Sequence, residues 1–281
     1  MKKITFALLF ISAAFSACQK DALLNSGNNA NSAIAGGIET SVSNSGTTYF
    51  GNNVILGKGH IRTYVTLDKA GQPLDAGVEF TEAAISTVDM PMKHSGMHCN
   101  TYNLRFHPNA TKSLPYDHVS LDWAQMGHGP EGVYDVPHFD IHFYMIPTET
   151  QMGIVADMPY PAGPDAFAAR PPGTIPQSYF PGPFVEMMGT HWIKKDEFLP
   201  LIMREQSFKH TFIYGSHENK LIFFEPMVTL ETIRSKQNIV TAIDQPQEYP
   251  IANKYYAANY AITHDAKMKV HRVSLQNMSL K

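Results

Sequence analysis

Residues Gly127–Ile146 read GHGPEGVYDVPHFDIHFYMI. Two turn-rich clauses, Gly127-His128-Gly129-Pro130 and Tyr134-Asp135-Val136-Pro137, lead into the run from His138 to Ile146. That run is aromatic and β-branched, follows one proline and stops at another, Pro147. It reads as a strand. Side chains alternate on a strand, so Phe139, Ile141, Phe143 and Met145 take one face while His138, Asp140, His142 and Tyr144 take the other. The first face is ordinary core. The second places two imidazoles around a carboxylate, which suits a metal site or acid–base chemistry.

Working outward, similar alternation marks further strands: Gly59–Asp68 before the turn Lys69–Pro73, Thr101–His107, and His118–Trp123. Phe208–Tyr214 and Lys220–Phe224 flank Gly215–Asn219 as a hairpin, with Glu225-Pro226-Met227 closing its second strand. Tyr260–His264 and Lys267–Leu275 form another hairpin around Asp265-Ala266. Phe80–Ile85 is expected to be a short helix with Thr81 as its N-cap, and Val228–Lys236 a second one. Residues 157–183 are crowded with proline and glycine and read as a long surface excursion within one domain. The expected fold is β-rich α+β: a single domain over 48–281 with a mostly antiparallel sheet or barrel and short helices.

The nineteen prolines and nineteen glycines among 281 residues agree with a loop-rich β body. A formal charge of -3, with no Lys/Arg run, removes the electrostatic case for nucleic acid. Lys2 and Lys3 precede the apolar stretch Ile4–Phe15, and Phe15-Ser16-Ala17-Cys18 follows. This is the pattern of a secretory signal over residues 1–18. The small residues before Cys18 match a bacterial lipobox, with Phe15 in place of the usual leucine. Residues 19–47, rich in Asn, Ser, Ala and Gly, then read as a disordered tether. Gln19 makes outer-membrane anchoring the default within the cell envelope, with the membrane face left open. The remaining cysteine, Cys99, has no intramolecular partner in the mature chain and reads as buried; His94 and His98 beside it leave soft-metal binding as a minor alternative.

Alternate residues on one strand face lie roughly 6–7 Å apart, so His138 and His142 stand about 13 Å apart and do not easily close on one metal. Partners from other strands are required. Met188–Trp192 and Phe224–Pro226 each set one ligand-type residue, His191 and Glu225, in apolar surroundings, where burial is costly unless the group is paired or metal-bound. The candidate metal ligands are therefore His138, His142, His191 and Glu225, with Asp140 and His128 as possible additions. Such a set suits zinc, iron, manganese or copper. The competing reading is that these are core polar residues satisfied by hydrogen bonds. Ser216 in Tyr-Gly-Ser-His is not a nucleophile elbow, because G-x-S-x-G is absent.

Taken together, Gly-His-x-Pro-x-Gly-Val-Tyr (127–134), Val-Pro-His-Phe-Asp-Ile-His-Phe-Tyr (136–144), Met-Gly-Thr-His-Trp (188–192), Phe-Ile-Tyr-Gly-Ser (212–216) and Phe-Glu-Pro-Met (224–227) resemble one family. It is an exported bacterial domain-of-unknown-function family, typified by a thermophile protein under an extracytoplasmic sigma/anti-sigma system. The resemblance spans about residues 50–235. It implies an exported, β-containing domain that can form homo-oligomers, with no established reaction. The His- and Met-rich stretch Met90–Cys99 and the pair Lys194-Lys195 depart from the family pattern. Three functions follow as expectations: a membrane-tethered envelope lipoprotein with a His-lined metal or small-ligand site, a metal-dependent hydrolase, or a structural or stress-response homo-oligomer. Convergence of His138 or His142 with His191 and Glu225 marks the binding site, whereas the oligomer predicts His142 and His191 far apart within one subunit or satisfied across an interface.

Overall fold

Every residue of the His138–Tyr144 strand is buried, on both of its faces. The reason is its position, fifth of seven in a sheet covered on two sides. A computed structural model describes residues 33–34, 40–43, 46–89, 99–155 and 170–281. The expected signal segment with Cys18, most of the tether, the His/Met-rich stretch up to His98 and much of the Pro/Gly-rich excursion lie outside these residues.

Two antiparallel sheets make up the body. The first runs in the order β1 (Ala33–Ile34), β4 (Asn53–Leu56), β5 (Gly59–Leu67), β6 (Pro73–Thr81), β16 (Val270–Leu280), β15 (Tyr255–Asp265), β14 (Ile239–Ala242). β2 (Thr40–Val42) and β3 (Thr47–Phe50) join it through β5. The second runs β10 (Tyr179–Val185), β11 (Gly189–Lys194), β12 (His210–His217), β13 (Lys220–Thr229), β9 (His138–Tyr144), β8 (His118–Ala124), β7 (Cys99–Arg105). Both sheets stay open, so the barrel alternative is set aside in favour of two packed layers with edge strands. Among the described residues the α-helices are short: α1 (Glu82–Thr87), α2 (Thr148–Met152), α3 (Lys195–Ile202) and α4 (Leu230–Arg234). Thr81 caps α1 as expected, accepting from the Ala84 N–H, and Thr229 caps α4 through the Thr232 N–H. No described helix is long and apolar enough to cross a membrane.

Between the sheets lies an aromatic core. Phe139 meets Phe80 at 5.1 Å and Trp123 at 4.6 Å between ring centroids, and Phe212 meets Tyr260 at 5.5 Å. Burying each such ring contributes about 1.5–3 kcal/mol. These are the odd-numbered residues of β9 and their counterparts, so the expected facing of that strand holds. The even-numbered face points away from the first sheet. It is covered by a second apolar cluster that includes Tyr134, Ile193, Phe198, Phe208 and Phe223. Polar side chains on that face are thereby cut off from water.

Two elements differ from expectation. The Pro/Gly-rich excursion ends in strand β10, whose Pro181 and Pro183 are tolerated because β10 is an edge strand with neighbours on one side only. Ordered pairing also begins before Thr48: β1 and β2 lie within the stretch read as tether, and the exposed β2 pairs with β3 from Thr40↔Tyr49 to Val42↔Thr47. A three-residue strand, Thr-Ser-Val, with every side chain exposed gives no alternating apolar signal to read.

Candidate metal centre

The polar face of the second sheet is built from register. Antiparallel pairing sets Asp122 of β8 opposite Asp140 of β9, and Ser120 opposite His142. On the other side, β13 pairs with β9 at Phe223↔Tyr144 and Met227↔Asp140, which places Glu225 across from His142. Glu225 in turn faces Ile213 on β12, while Gly215 faces both Phe223 and His191. Gly215 has a specific role. A Cβ there would lie 2.0 Å from the Phe223 ring, so only glycine lets that ring pack where it meets His142 at 4.9 Å and His191 at 5.2 Å.

The loop between β8 and β9 supplies the last member. It reverses at Gly127, which has φ +71° and no room for a Cβ beside the Tyr134 carbonyl at 2.3 Å. The His128 N–H then donates to the Tyr134 carbonyl at 3.0 Å, folding the loop back over the sheet. Glycines 127, 129 and 132 match the spacing G-x-G-x-x-G, but the segment leads into strand β9 rather than a helix, which removes a dinucleotide-loop reading.

The expected ligands come together as two groups rather than one. His142, His191 and Glu225 form an inner triad. His138 belongs instead to an outer triad with His128 and Asp140. The strand geometry explains the division: His138 and His142 share a face but are separated by Asp140, and each meets a different neighbouring element. In the inner triad His142 Nε2 lies 3.4 Å from Glu225 Oε1, and His191 Nε2 lies 3.7 Å from Glu225 Oε2. Asp122 Oδ2 stands 3.4 Å from His142 Nδ1. In the outer triad His128 Nε2 is 3.2 Å from Asp140 Oδ2, His138 Nε2 is 3.1 Å from Asp140 Oδ1, and the two Nε2 atoms are 3.0 Å apart.

Many of these buried atoms have no hydrogen-bond partner in the protein: both ring nitrogens of His142, Glu225 Oε2, Asp122 Oδ2 and Asp140 Oδ1. Backbone at Ser120 favours the charged form of His142, and backbone at Pro183 and Gly189 that of His191, yet no bond of good geometry reaches the His142 ring nitrogens or His191 Nδ1. Leaving buried polar groups unsatisfied costs about 1–3 kcal/mol each, so such a concentration requires a cause.

Electrostatics sharpen the picture. Burial, reinforced by the neighbouring His191, pushes the His142 pKa down to about 3; burial likewise takes His191 down to about 4. Both imidazoles are neutral, the form that binds metals. Burial, then the charges of Asp140 and Asp122, pushes the Glu225 carboxyl well above its ordinary value. Burial raises Asp122 to about 7, against the bond donated by Thr101 and with the help of Asp140. Burial would also raise Asp140, but the adjacent His138 and His128 pull it well below the usual carboxylate range.

Asp122 was missed in the sequence, although the signal was present: His118, Ser120 and Asp122 alternate with Val119, Leu121 and Trp123 as cleanly as β9 does. No protein-family model matches this chain, and no curated protein or solved structure shows significant similarity to it.

Proposed function

We propose that this chain is a transition-metal-binding lipoprotein of the cell envelope, with the metal held by His142, His191 and Glu225. One observation carries the metal reading: two imidazole nitrogens and the two Glu225 oxygens, nearly all cut off from water, sit at separations longer than good hydrogen bonds but suited to a shared cation. Ligands about 2.0–2.2 Å from a tetrahedral metal stand about 3.3–3.6 Å from one another. The inner triad spacings of 3.4 and 3.7 Å fall within and just above that range. Two imidazoles and one carboxylate accept zinc, iron, manganese or copper. The anchoring half of the proposal rests on Lys2-Lys3, the apolar Ile4–Phe15 and the lipobox-like approach to Cys18. Outer-membrane placement follows Gln19, and membership of the exported family rests on the five motifs.

A second reading, metal-dependent hydrolysis, is favoured by the composition of the triad. Three protein ligands of the His–His–Glu type leave a coordination position for water. The homo-oligomer reading loses its histidine argument, because His142 and His191 approach within one chain at 5.9 Å between ring centroids.

Elemental analysis of the purified full chain, beside His191→Ala, tests the proposal. Near-stoichiometric metal in the wild type, diminished in a variant with unchanged circular dichroism, is expected. A wild type that holds no metal after incubation with Zn²⁺, Cu²⁺, Fe²⁺ and Mn²⁺ in turn would overturn it. Turnover of simple ester or phosphoester substrates by the loaded protein would then separate the hydrolase from the binding protein.

A further inference from the structure

We infer that His128, His138 and Asp140 form a second, solvent-facing metal site beside the inner one, giving two metals per chain; this rests on the metal reading of the polar sheet face. The argument is one of tautomers. His138 Nδ1 lies 2.6 Å from the Val136 carbonyl, and His128 Nδ1 lies 2.9 Å from the Gly129 carbonyl. A carbonyl only accepts, so each Nδ1 carries the ring's N–H and donates it. In a neutral imidazole the opposite nitrogen is then a bare lone pair. Both Nε2 atoms are therefore lone-pair donors, and they face each other at 3.0 Å.

Asp140 completes the convergence, with its two oxygens 3.2 and 3.1 Å from the same two nitrogens. Four electron-rich atoms meeting with no hydrogen between them repel unless a positive charge sits among them. That charge is either an added proton on one imidazole or a metal ion. Backbone carbonyls that fix the Nδ1–H tautomer are the usual outer support of a metal-binding histidine, since they turn Nε2 towards the ion. Ligand pairs around a metal at octahedral to tetrahedral angles are separated by about 2.9–3.5 Å, and all three separations fall there.

The two sites differ in access. The His128 side chain is 28 % exposed and sits on the loop closed by Gly127, whereas His138 is fully buried behind it. The inner triad is enclosed by Phe223 and the apolar cover. Asp140 and His142 are successive residues on one strand face, so the sites are roughly 6–7 Å neighbours. The structure thus assigns the outer triad as the exchangeable site and the inner triad as the retained one.

Zinc titration of the full chain, freed of metal by chelator, reads both sites by stoichiometry and by release to a chromogenic chelator. Expected are two equivalents in the wild type, one released fast and one at least tenfold more slowly. His128→Ala, a partly exposed loop position, should keep one slow equivalent; His191→Ala should keep one fast equivalent. His128→Gln provides a milder variant with the same expected loss. A wild type with one equivalent, unaffected by His128→Ala or His128→Gln but lost in His191→Ala, would overturn this inference and leave the proposed function standing. No zinc at all in the wild type would overturn both.

Discussion

Asp122 and Asp140 are direct cross-strand partners in the interior of the second sheet, two carboxylates on facing positions of a buried surface. Like charges in that arrangement destabilise a sheet. The fold tolerates the pair because Asp122 is held by Thr101 and its pKa is raised to about 7, so at neutral pH it carries only about half a charge while Asp140 stays ionised. A cation between them would reverse the penalty.

Asp122→Asn separates these effects. The amide keeps an acceptor for the Thr101 hydroxyl and removes the carboxylate. The metal-free variant is expected to melt at or above the wild-type temperature, while the rise on adding zinc shrinks. Differential scanning calorimetry with and without chelator checks this. A variant that loses stability equally in both conditions would make Asp122 purely structural.

Metal uptake should release protons. At neutral pH His142 and His191 are already neutral, so neither releases a proton; any proton set free comes from the carboxyls that burial raises, Glu225 and Asp122. Occupancy of the inner site is therefore expected to release protons at neutral pH and to tighten as pH rises. Calorimetric titrations of His128→Ala in buffers of different ionisation enthalpy measure it. A buffer-independent enthalpy would exclude a protonated Glu225 ligand.

His271, on the other sheet, gives a pH test away from both triads; with Glu82 and His264 it makes a further group of possible ligands, so the test is run with chelator present. Burial, then the neighbouring His264, lowers its pKa to about 4. In the unfolded chain it takes a proton near pH 6.5. Below that pH the unfolded state binds more protons, so this contribution is intact above about 6.5 and is lost as pH falls towards 4, by at most about 1.4 kcal/mol per pH unit. The stability gap between wild type and His271→Phe should therefore change across pH 6.5–4 and level off below. Urea melts across that range decide, and a constant gap would contradict the depressed value.

Gly215→Ala tests the cover of the inner triad. Its methyl group would overlap the Phe223 ring, which must shift away from His142 and His191. Overpacking of this kind costs about 1–3 kcal/mol. A lower melting temperature with faster zinc release is expected, whereas unchanged release with lowered stability would show that the ring does not guard the site.

The strands around the site were legible because alternation survives wherever one face is apolar, as in Phe139, Ile141 and Phe143 against His138, Asp140 and His142. Thr81 was legible as a cap for the same local reason. The edge strand β10 was hidden by Pro181 and Pro183, residues that mark a loop unless one knows that only one side is paired. The division of four expected ligands into two triads was not legible either. It depends on which strand lies beside β9, and β13 arrives there from more than 75 residues downstream in a pairing that no local pattern encodes. His128 and Asp140, held as additions to one site, are instead the body of another.

The alternation of β9 has one further consequence. A strand that slipped by a single residue against β8 or β13 would turn Phe139, Ile141 and Phe143 away from the first sheet and drive His138, Asp140 and His142 between the sheets. Packing therefore proofreads the ligand set: an error that scrambles the metal-binding atoms must also bury two imidazoles and a carboxylate in the aromatic core between the sheets. Molecules that reach the native state arrive with both triads already in alignment, and misassembled ones are eliminated by their own instability.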